Sequence, residues 1–501
     1  MSPSTNPLSS LFWDVEIPLI PVLAKMERQG LIFDRKLNRK LHQEAVQEAR
    51  ESAEHFYELL GLPYPEGHKT KRAITTNKVR EMLFDQLRLD NTQEWKDLPI
   101  DAKYTEAARK RHYRNITLKE HAVSDTVIAT IASLHDAAST YQRYADAVGF
   151  IEKYTEKYPK KHVRVDGRVY TRFNQMFVKS GRLSSSSPNL QQVIPRFRDC
   201  FVASPGHFYL SIDLSNLELR IGASLSEDPA LIACYTTDIK DVHAVTAAAV
   251  FGGAWTDYKK GNSLRDFGKT LNFSVFYGAQ ENRVSELLRE SVSLNQVVQL
   301  LQANSVHYLG NPYKAAGGFV MERFFKAYPR IKAWIAEVHS FAHANGYTET
   351  ALGRRRYEDE INEKTLKELV NMCIQGTAAD ILKLSMLQID HLGANSSLDK
   401  FSKPNDTDHR HDPASLSCIK MLLQIHDELI FEVWEDDIEW AAENLMWLME
   451  HPKGIALRVP LVSEAKYGKR WGSLTDLEVA SRLSISSTTS GSQRTKSLSS
   501  R

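Results

Sequence analysis

Two apolar runs, Met421-Leu-Leu-Gln-Ile425 and Leu429-Ile-Phe-Glu-Val433, stand on either side of three ionisable residues, His426-Asp427-Glu428. So short a link forces the two runs to lie antiparallel, because parallel strands need a crossover of a dozen or more residues. The spacing therefore predicts a tight β-hairpin with three polar groups at its tip. Hairpin tips usually hold Gly, Asn or Asp for backbone reasons, and only Asp427 is of that kind. The tip is thus a candidate for chemistry as well as for turning the chain.

A second apolar run, Phe208 to Ile212, reads as a buried strand ended by Asp213. After it the apolar spacing becomes helical through Leu214, Leu217, Leu219, Ile221 and Leu225. A carboxylate at this handover is an ordinary helix cap or a catalytic group at the mouth of a cleft. If the two sheet elements are neighbours, Asp213 and Asp427 can bind two divalent cations about 3.5 to 4 Å apart, the arrangement used for in-line phosphoryl transfer. Magnesium suits such a site, since it takes oxygen ligands and keeps waters and substrate phosphates in its shell.

The segment Arg265 to Gly278 supplies what such metals lack. On a helix turning roughly 100° per residue, Arg265, Lys269, Phe273 and Tyr277 share one face. Two cations followed by two aromatic rings match a ligand with a polyanionic tail and a flat, stackable end, such as a nucleoside triphosphate. An amphipathic surface helix explains the same residues taken alone.

Between Glu152 and Arg182 the balance turns basic, with nine Lys or Arg against three acids. It leads into Ser180-Gly-Arg-Leu-Ser-Ser-Ser-Ser-Pro-Asn-Leu-Gln-Gln192, where Gly181 permits close backbone approach. Arg182 and the serine hydroxyls suit phosphate oxygens, while Asn189 and Gln191 can reach sugar and base edges. Such stretches are also common as solvated faces and plain loops.

The remaining chain bounds these readings. Residues 12 to 60 read as helical scaffold, with Gly30 ending one helix and Asp34 capping a second over Arg35 to Leu60. Val127 to Tyr154 reads as one long amphipathic helix, and residues 228 to 345 as almost wholly helical, with Pro329 breaking the periodicity. Tyr347 to Tyr357 reads as strand, turn and strand, Lys364 to Met386 as a helix, and Val459 to Ser463 as a strand. The polar stretch Gly393 to Ser417 reads as a loop insertion and Ser484 to Arg501 as a disordered tail. Four scattered cysteines give no metal or disulfide framework. No apolar run long enough to cross a membrane and no basic-apolar leader occur, so an intracellular protein is expected, its compartment open. A net charge of +2 names no partner.

Over roughly residues 12 to 472 the chain resembles the polymerase region of the family A DNA polymerases, the bacterial DNA polymerase I type. The resemblance rests on Asp213-Leu-Ser-Asn-Leu-Glu-Leu-Arg220, on Arg265 to Gly278, and on Gln424-Ile-His-Asp-Glu-Leu429. Gly181 to Gln191, His243, Gly353-Arg-Arg355 and Gln375-Gly-Thr-Ala-Ala-Asp380 add to it. It implies an α+β right-hand architecture, with an antiparallel-sheet palm and mainly helical fingers and thumb. The expected divisions are N-terminal helices and thumb over 1–165, palm over 166–235 and 346–475, fingers over 236–345 and a tail over 476–501.

The resemblance also implies roles. Asp213 and Asp427 would bind two magnesium ions, with Glu428 supporting them and Lys269 serving the chemistry. His243, Arg265 and Lys269 would hold the dNTP, Glu218 would exclude a ribose 2′ hydroxyl, and Phe273 and Tyr277 would border sugar and base. Arg182, Asn189, Gln191, Arg354, Gln375 and His426 would hold primer-template DNA. The expected protein is a monomeric DNA-directed DNA polymerase of replication or repair, without a 3′ to 5′ exonuclease. A single-subunit RNA polymerase and a catalytically silent DNA-binding subunit are the alternatives. Leu214, Ser274, Lys367 and Cys373 depart from the family's usual residues, and none removes a metal ligand or a triphosphate contact.

Overall fold

The computed structural model of the 501-residue chain describes residues 7–65, 73–97, 103–104, 121–132, 134–237, 239, 241–394 and 419–479. Of the expected insertion at 393–417 only Gly393 and Ala394 are described, as the end of a helix, and nearly all of the tail lies outside the described residues. At the centre is a five-stranded antiparallel sheet of β1 (His207–Leu214), β2 (Lys420–Ile425), β3 (Glu428–Trp434), β4 (Ser463–Gly468) and β5 (Thr475–Asp476). The spatial order is β5-β4-β1-β3-β2. Strand β1 is central because Tyr209 to Ile212 are buried on both faces of the sheet.

The hairpin is present, with a tip one residue shorter than expected. Glu428 is already the first residue of β3, opposite both Ile425 of β2 and Asp213 of β1. Only His426 and Asp427 turn the chain, and His426 takes the left-handed conformation at φ 51. Outside glycine this region costs on the order of 1 kcal/mol and is concentrated at functional sites. Strand β4 begins where the expected strand ended, because the period-two alternation of buried Ser463 and Ala465 with exposed Glu464 and Lys466 falls there.

Helices α1 (Ile17–Gln29) and α2 (Arg35–Leu59) open the chain, with the Asp34 carboxylate accepting from Lys36 N and Leu37 N at 2.9 Å each. The long helix expected from Val127 to Tyr154 is broken. One helix ends at Ile131 and another starts at Asp136, where His135 caps it through Ala137 N at 3.1 Å. A capping side chain here outweighs continuing apolar periodicity. The second helix runs on through a wider turn to His162.

After β1 come α3 (Leu217–Ser226), α4 (Val242–Phe251), α5 (Ser263–Phe276), α6 (Glu281–Ser291), α7 (Pro312–Ala327) and α8 (Pro329–Asn345). Pro329 starts α8 rather than kinking it, as suits a residue without a backbone N–H. A small hairpin of Tyr347–Glu349 and Arg355–Tyr357 leads to α9 (Glu363–Ala394), and α10 (Ile438–Glu450) lies on β1 and β4. One face of the sheet is thereby covered, and its β1–β3 end is left open toward α3 and α5.

Candidate active site

Register builds the acidic centre. Asp213 stands directly opposite Glu428 on one side and Glu464 on the other, so the three share one face of the sheet. The carbonyl of Asp427 accepts from Leu214 N at 3.1 Å, which fastens the hairpin tip beside the end of β1. Glu218, on the first turn of α3, is buried nearby and held from two directions. Arg182 donates to one carboxylate oxygen and the Tyr277 hydroxyl to the other. Gln375 of α9 lies within hydrogen-bonding reach of the same hydroxyl.

The electrostatics follow from crowding Asp213, Glu218, Asp427, Glu428 and Glu464 together, with Arg182 beside Glu218 and Asp427. Burial, and then the charges of Glu218 and Asp213, push the Asp427 carboxyl up to about 7 against the opposing pull of Arg182. Asp213 is exposed at the cleft mouth, yet the protein around it and Glu464 raise its pKa too. Burial raises Glu428 while a hydrogen bond from the Ser211 hydroxyl opposes it. Asp427 Oδ1 is buried and accepts no hydrogen bond from the described residues. An acceptor so placed is costly unless a cation or donor fills it. The acidic pair therefore fits divalent metal. Among the described residues no three His, Cys, Asp or Glu converge to hold an ion.

Facing this centre, α5 presents the expected stripe. Arg265 is tied to Asp241 at 2.7 Å, whereas Lys269 is exposed with no acidic partner among the described residues. His243, on the first turn of α4, is buried, and its pKa falls to about 4 through desolvation and the cations Arg265 and Lys269. It is therefore neutral near pH 7 and acts as a hydrogen-bonding group. The Phe273 ring lies 6.2 Å from that of His243 and 6.5 Å from that of Tyr277. Half-buried Ser274 and exposed Tyr277 line a cleft of about 490 Å³ together with Lys367.

The DNA-directed candidates divide. Arg182 and Gln375 converge on the acidic centre, and His426 is exposed at the hairpin tip. Gln191 donates from Nε2 to the carbonyls of Leu183 and Gln424, at 3.2 and 3.0 Å, locking its loop to β2. Asn189 accepts from Ser185 Oγ and Gln191 N yet stays exposed. Arg354 is paired within the protein. Its guanidinium is spent on Asp380 at 2.7 Å and on Glu16, and only 14% of its side chain is exposed. Lys383 reaches the same Glu16 at 2.6 Å. Sequence reasoning did not single out Glu16, Asp241 or Glu464; for Glu464 the signal was an acid on the exposed side of an alternating strand.

Comparisons with known proteins bear on the family and the fold. DNA polymerase I, thermostable, of Thermus thermophilus is 31% identical over 479 residues, covering 92% of this chain and 48% of that protein. DNA polymerase I of Pseudomonas aeruginosa is 29% identical, covering 93% of this chain and 44% of its own. The chain thus spans about half the length of the curated relatives it matches. The POL domain of Pol1 from M. smegmatis, solved in complex with DNA primer-template and dNTP, superposes with a TM-score of 0.67 at 25% identity, covering 92% of this chain and 71% of that one. The fold is accordingly the α+β polymerase fold. Among the described residues no helix is long and apolar enough to cross a membrane. The family described as DNA polymerase family A matches residues 38–473, a span holding β1 to β4 and all of α3 to α10, and the chain belongs to that family.

Proposed function

We propose that this chain is a template-directed DNA polymerase acting as a monomer in DNA replication or repair. The primer 3′ hydroxyl attacks the α-phosphate of a dNTP and pyrophosphate leaves. The observation that carries the reading is the register of β1 against β3, which sets Asp213 opposite Glu428 and brings the unpartnered Asp427 oxygen alongside. Asp213 and Asp427 would hold two magnesium ions, with Glu428 behind them. Bound there, the ions supply positive charge to the attacking and leaving oxygens.

The other roles belong to side chains. Lys269, without an acidic partner among the described residues, is the cation for the triphosphate, with Arg265 and neutral His243 beside it. Glu218, fixed by Arg182 and Tyr277, forms a rigid wall against a 2′ hydroxyl. Phe273 and Tyr277 offer ring faces to sugar and base. Arg182, Asn189, Gln191, Gln375 and His426 line the primer-template path. Arg354 acts from behind, since a Cβ at Gly181 would meet its side chain at 2.6 Å. Binding to DNA is sequence-independent and weakens with salt, because phosphates are the contacted groups.

Extension of a primed template with dNTPs or rNTPs in magnesium tests this reading. Templated incorporation of dNTPs is expected. Preference for rNTPs would make the protein an RNA polymerase, and no incorporation in magnesium or manganese would make it a DNA-binding subunit.

A further inference from the structure

Beside the groups assigned to the triphosphate stands a carboxylate, Asp241, in a place where negative charge should hinder an anionic ligand. Its two oxygens do separate work. Oδ1 accepts from His243 N and Ala244 N at 3.1 Å each and so caps α4. Oδ2 accepts from Arg265 Nε at 2.7 Å, across to α5. Arg265 is only 12% exposed, so this bond fixes a nearly buried guanidinium and not a solvated surface pair.

The two helices meet without slack around this tie. A Cβ at Gly268 of α5 would stand 2.6 Å from the His243 carbonyl oxygen and 3.2 Å from Ala247 N. Further along, Asn272 of α5 bonds the His243 ring at Nδ1, 3.2 Å away, and accepts from Thr246 Oγ1 of α4 at 2.9 Å. Tyr328 closes that chain at 3.0 Å from Thr246. His243 is thus held through its backbone by Asp241 and through its ring by Asn272, while Arg265 is held by the same Asp241.

A guanidinium is a rigid fork, and anchoring Nε sets the direction of its remaining N–H donors. Nη1 has one further contact, Asp266 at 3.4 Å, longer than a strong charged bond. We infer that Asp241 is a positioning residue of the triphosphate site, orienting Arg265 and seating His243 at once, so that both meet the phosphate tail of a nucleotide already aligned. The inference rests on the polymerase reading for the identity of the ligand and goes beyond it in naming the residue that organises the site. The benefit is preorganisation, which reduces the ordering cost of binding.

The test is Asp241→Asn. Asparagine caps a helix as well as aspartate, so α4 stays capped while the charged grip on Arg265 is lost. The expected result is a dNTP KM raised about tenfold, with the larger part of the loss in KM and not in kcat. The same loss is expected in the equilibrium affinity of the complex with a dideoxy-terminated primer for dNTP. The effect should largely vanish in an Arg265→Ala background, because the two residues act as one unit. An unchanged KM would make Asp241 a helix cap only, and a lowered KM would make it a charge brake; either overturns the inference. So does an undiminished effect in Arg265→Ala. Wild-type protein that binds dNTP without extending primers would sink the polymerase reading alone, and the affinity measurement would still decide the role of Asp241.

Discussion

The Tyr277 hydroxyl, at the C-terminal end of α5, donates to the buried Glu218 carboxylate at the start of α3. One hydrogen bond thereby joins α5 to α3, the helix that follows β1. With Arg182 on its other oxygen, Glu218 has no freedom to swing aside for a larger ligand. Glu218→Ala should lower the ratio of kcat/KM for dNTP over rNTP by tenfold or more, since a steric wall discriminates only while it is fixed. Tyr277→Phe keeps the ring, removes the donor and should move the same ratio less. An unchanged ratio in Glu218→Ala would remove this residue from sugar selection.

Buried charge ties the N-terminal segment to the catalytic body. Glu16 is shared by Arg354 and Lys383, and Lys383 is fully buried. Glu16→Ala would leave that ammonium without its counter-charge, a loss of roughly 3 to 5 kcal/mol for a buried pair broken on one side. The thermal midpoint should fall by several degrees. Glu16→Leu combined with Lys383→Met should recover much of it, because it removes both charges instead of stranding one.

Much of this arrangement was legible in the sequence where local pattern and position coincide. The apolar runs around His426-Asp427-Glu428 could only be a hairpin, and the four-residue spacing of Arg265, Lys269, Phe273 and Tyr277 could only share a helix face. Asp34 and Gly30 announced their helix boundaries by ordinary capping chemistry. What the pattern could not carry was pairing at a distance. Glu464 becomes a neighbour of Asp213 only through the β4–β1 register, and Glu16 meets Arg354 and Lys383 only after the chain has folded back on itself. The same limit hides the ion pairs of Arg354 with Glu16 and Asp380, which join residues far apart in the chain. His135 broke a helix that apolar periodicity alone would have continued.

The contact between α4 and α5 gives a packing prediction. Gly268→Ala would place a methyl group 2.6 Å from a backbone oxygen, which cannot move as a side-chain tip can. The expected cost is roughly 1 to 3 kcal/mol, accompanied by a higher dNTP KM as His243 and Arg265 lose their mutual register. Unfolding midpoints and steady-state kinetics on the same preparation check both parts. Full stability with an unchanged KM would contradict the close approach.

Crowding at Asp427 makes stability depend on pH in a definite sense. Its folded pKa, pushed up to about 7, lies above the ordinary carboxylate value. The metal-free folded state therefore holds a proton that the unfolded chain releases near pH 4. Stability from this group is present below the unfolded pKa and is lost as pH rises through about 7. Asp427→Asn, which cannot ionise, should match the wild type near pH 4 and exceed it at pH 8 by roughly 1 to 3 kcal/mol after allowing for solvent screening. Added magnesium should raise wild-type stability at pH 8 and leave the variant little changed. Equal midpoints for the two proteins at pH 8 without metal would show that the carboxylates are not crowded.

The hairpin tip and the end of β1 are proposed as one phosphoryl-transfer centre. Asp427→Ala measured in parallel for primer-template binding and for single-nucleotide extension tests it most directly. Nearly unchanged DNA affinity is expected, with the extension rate lowered by at least a thousandfold, about 4 kcal/mol of barrier. Extension at close to the wild-type rate would contradict it.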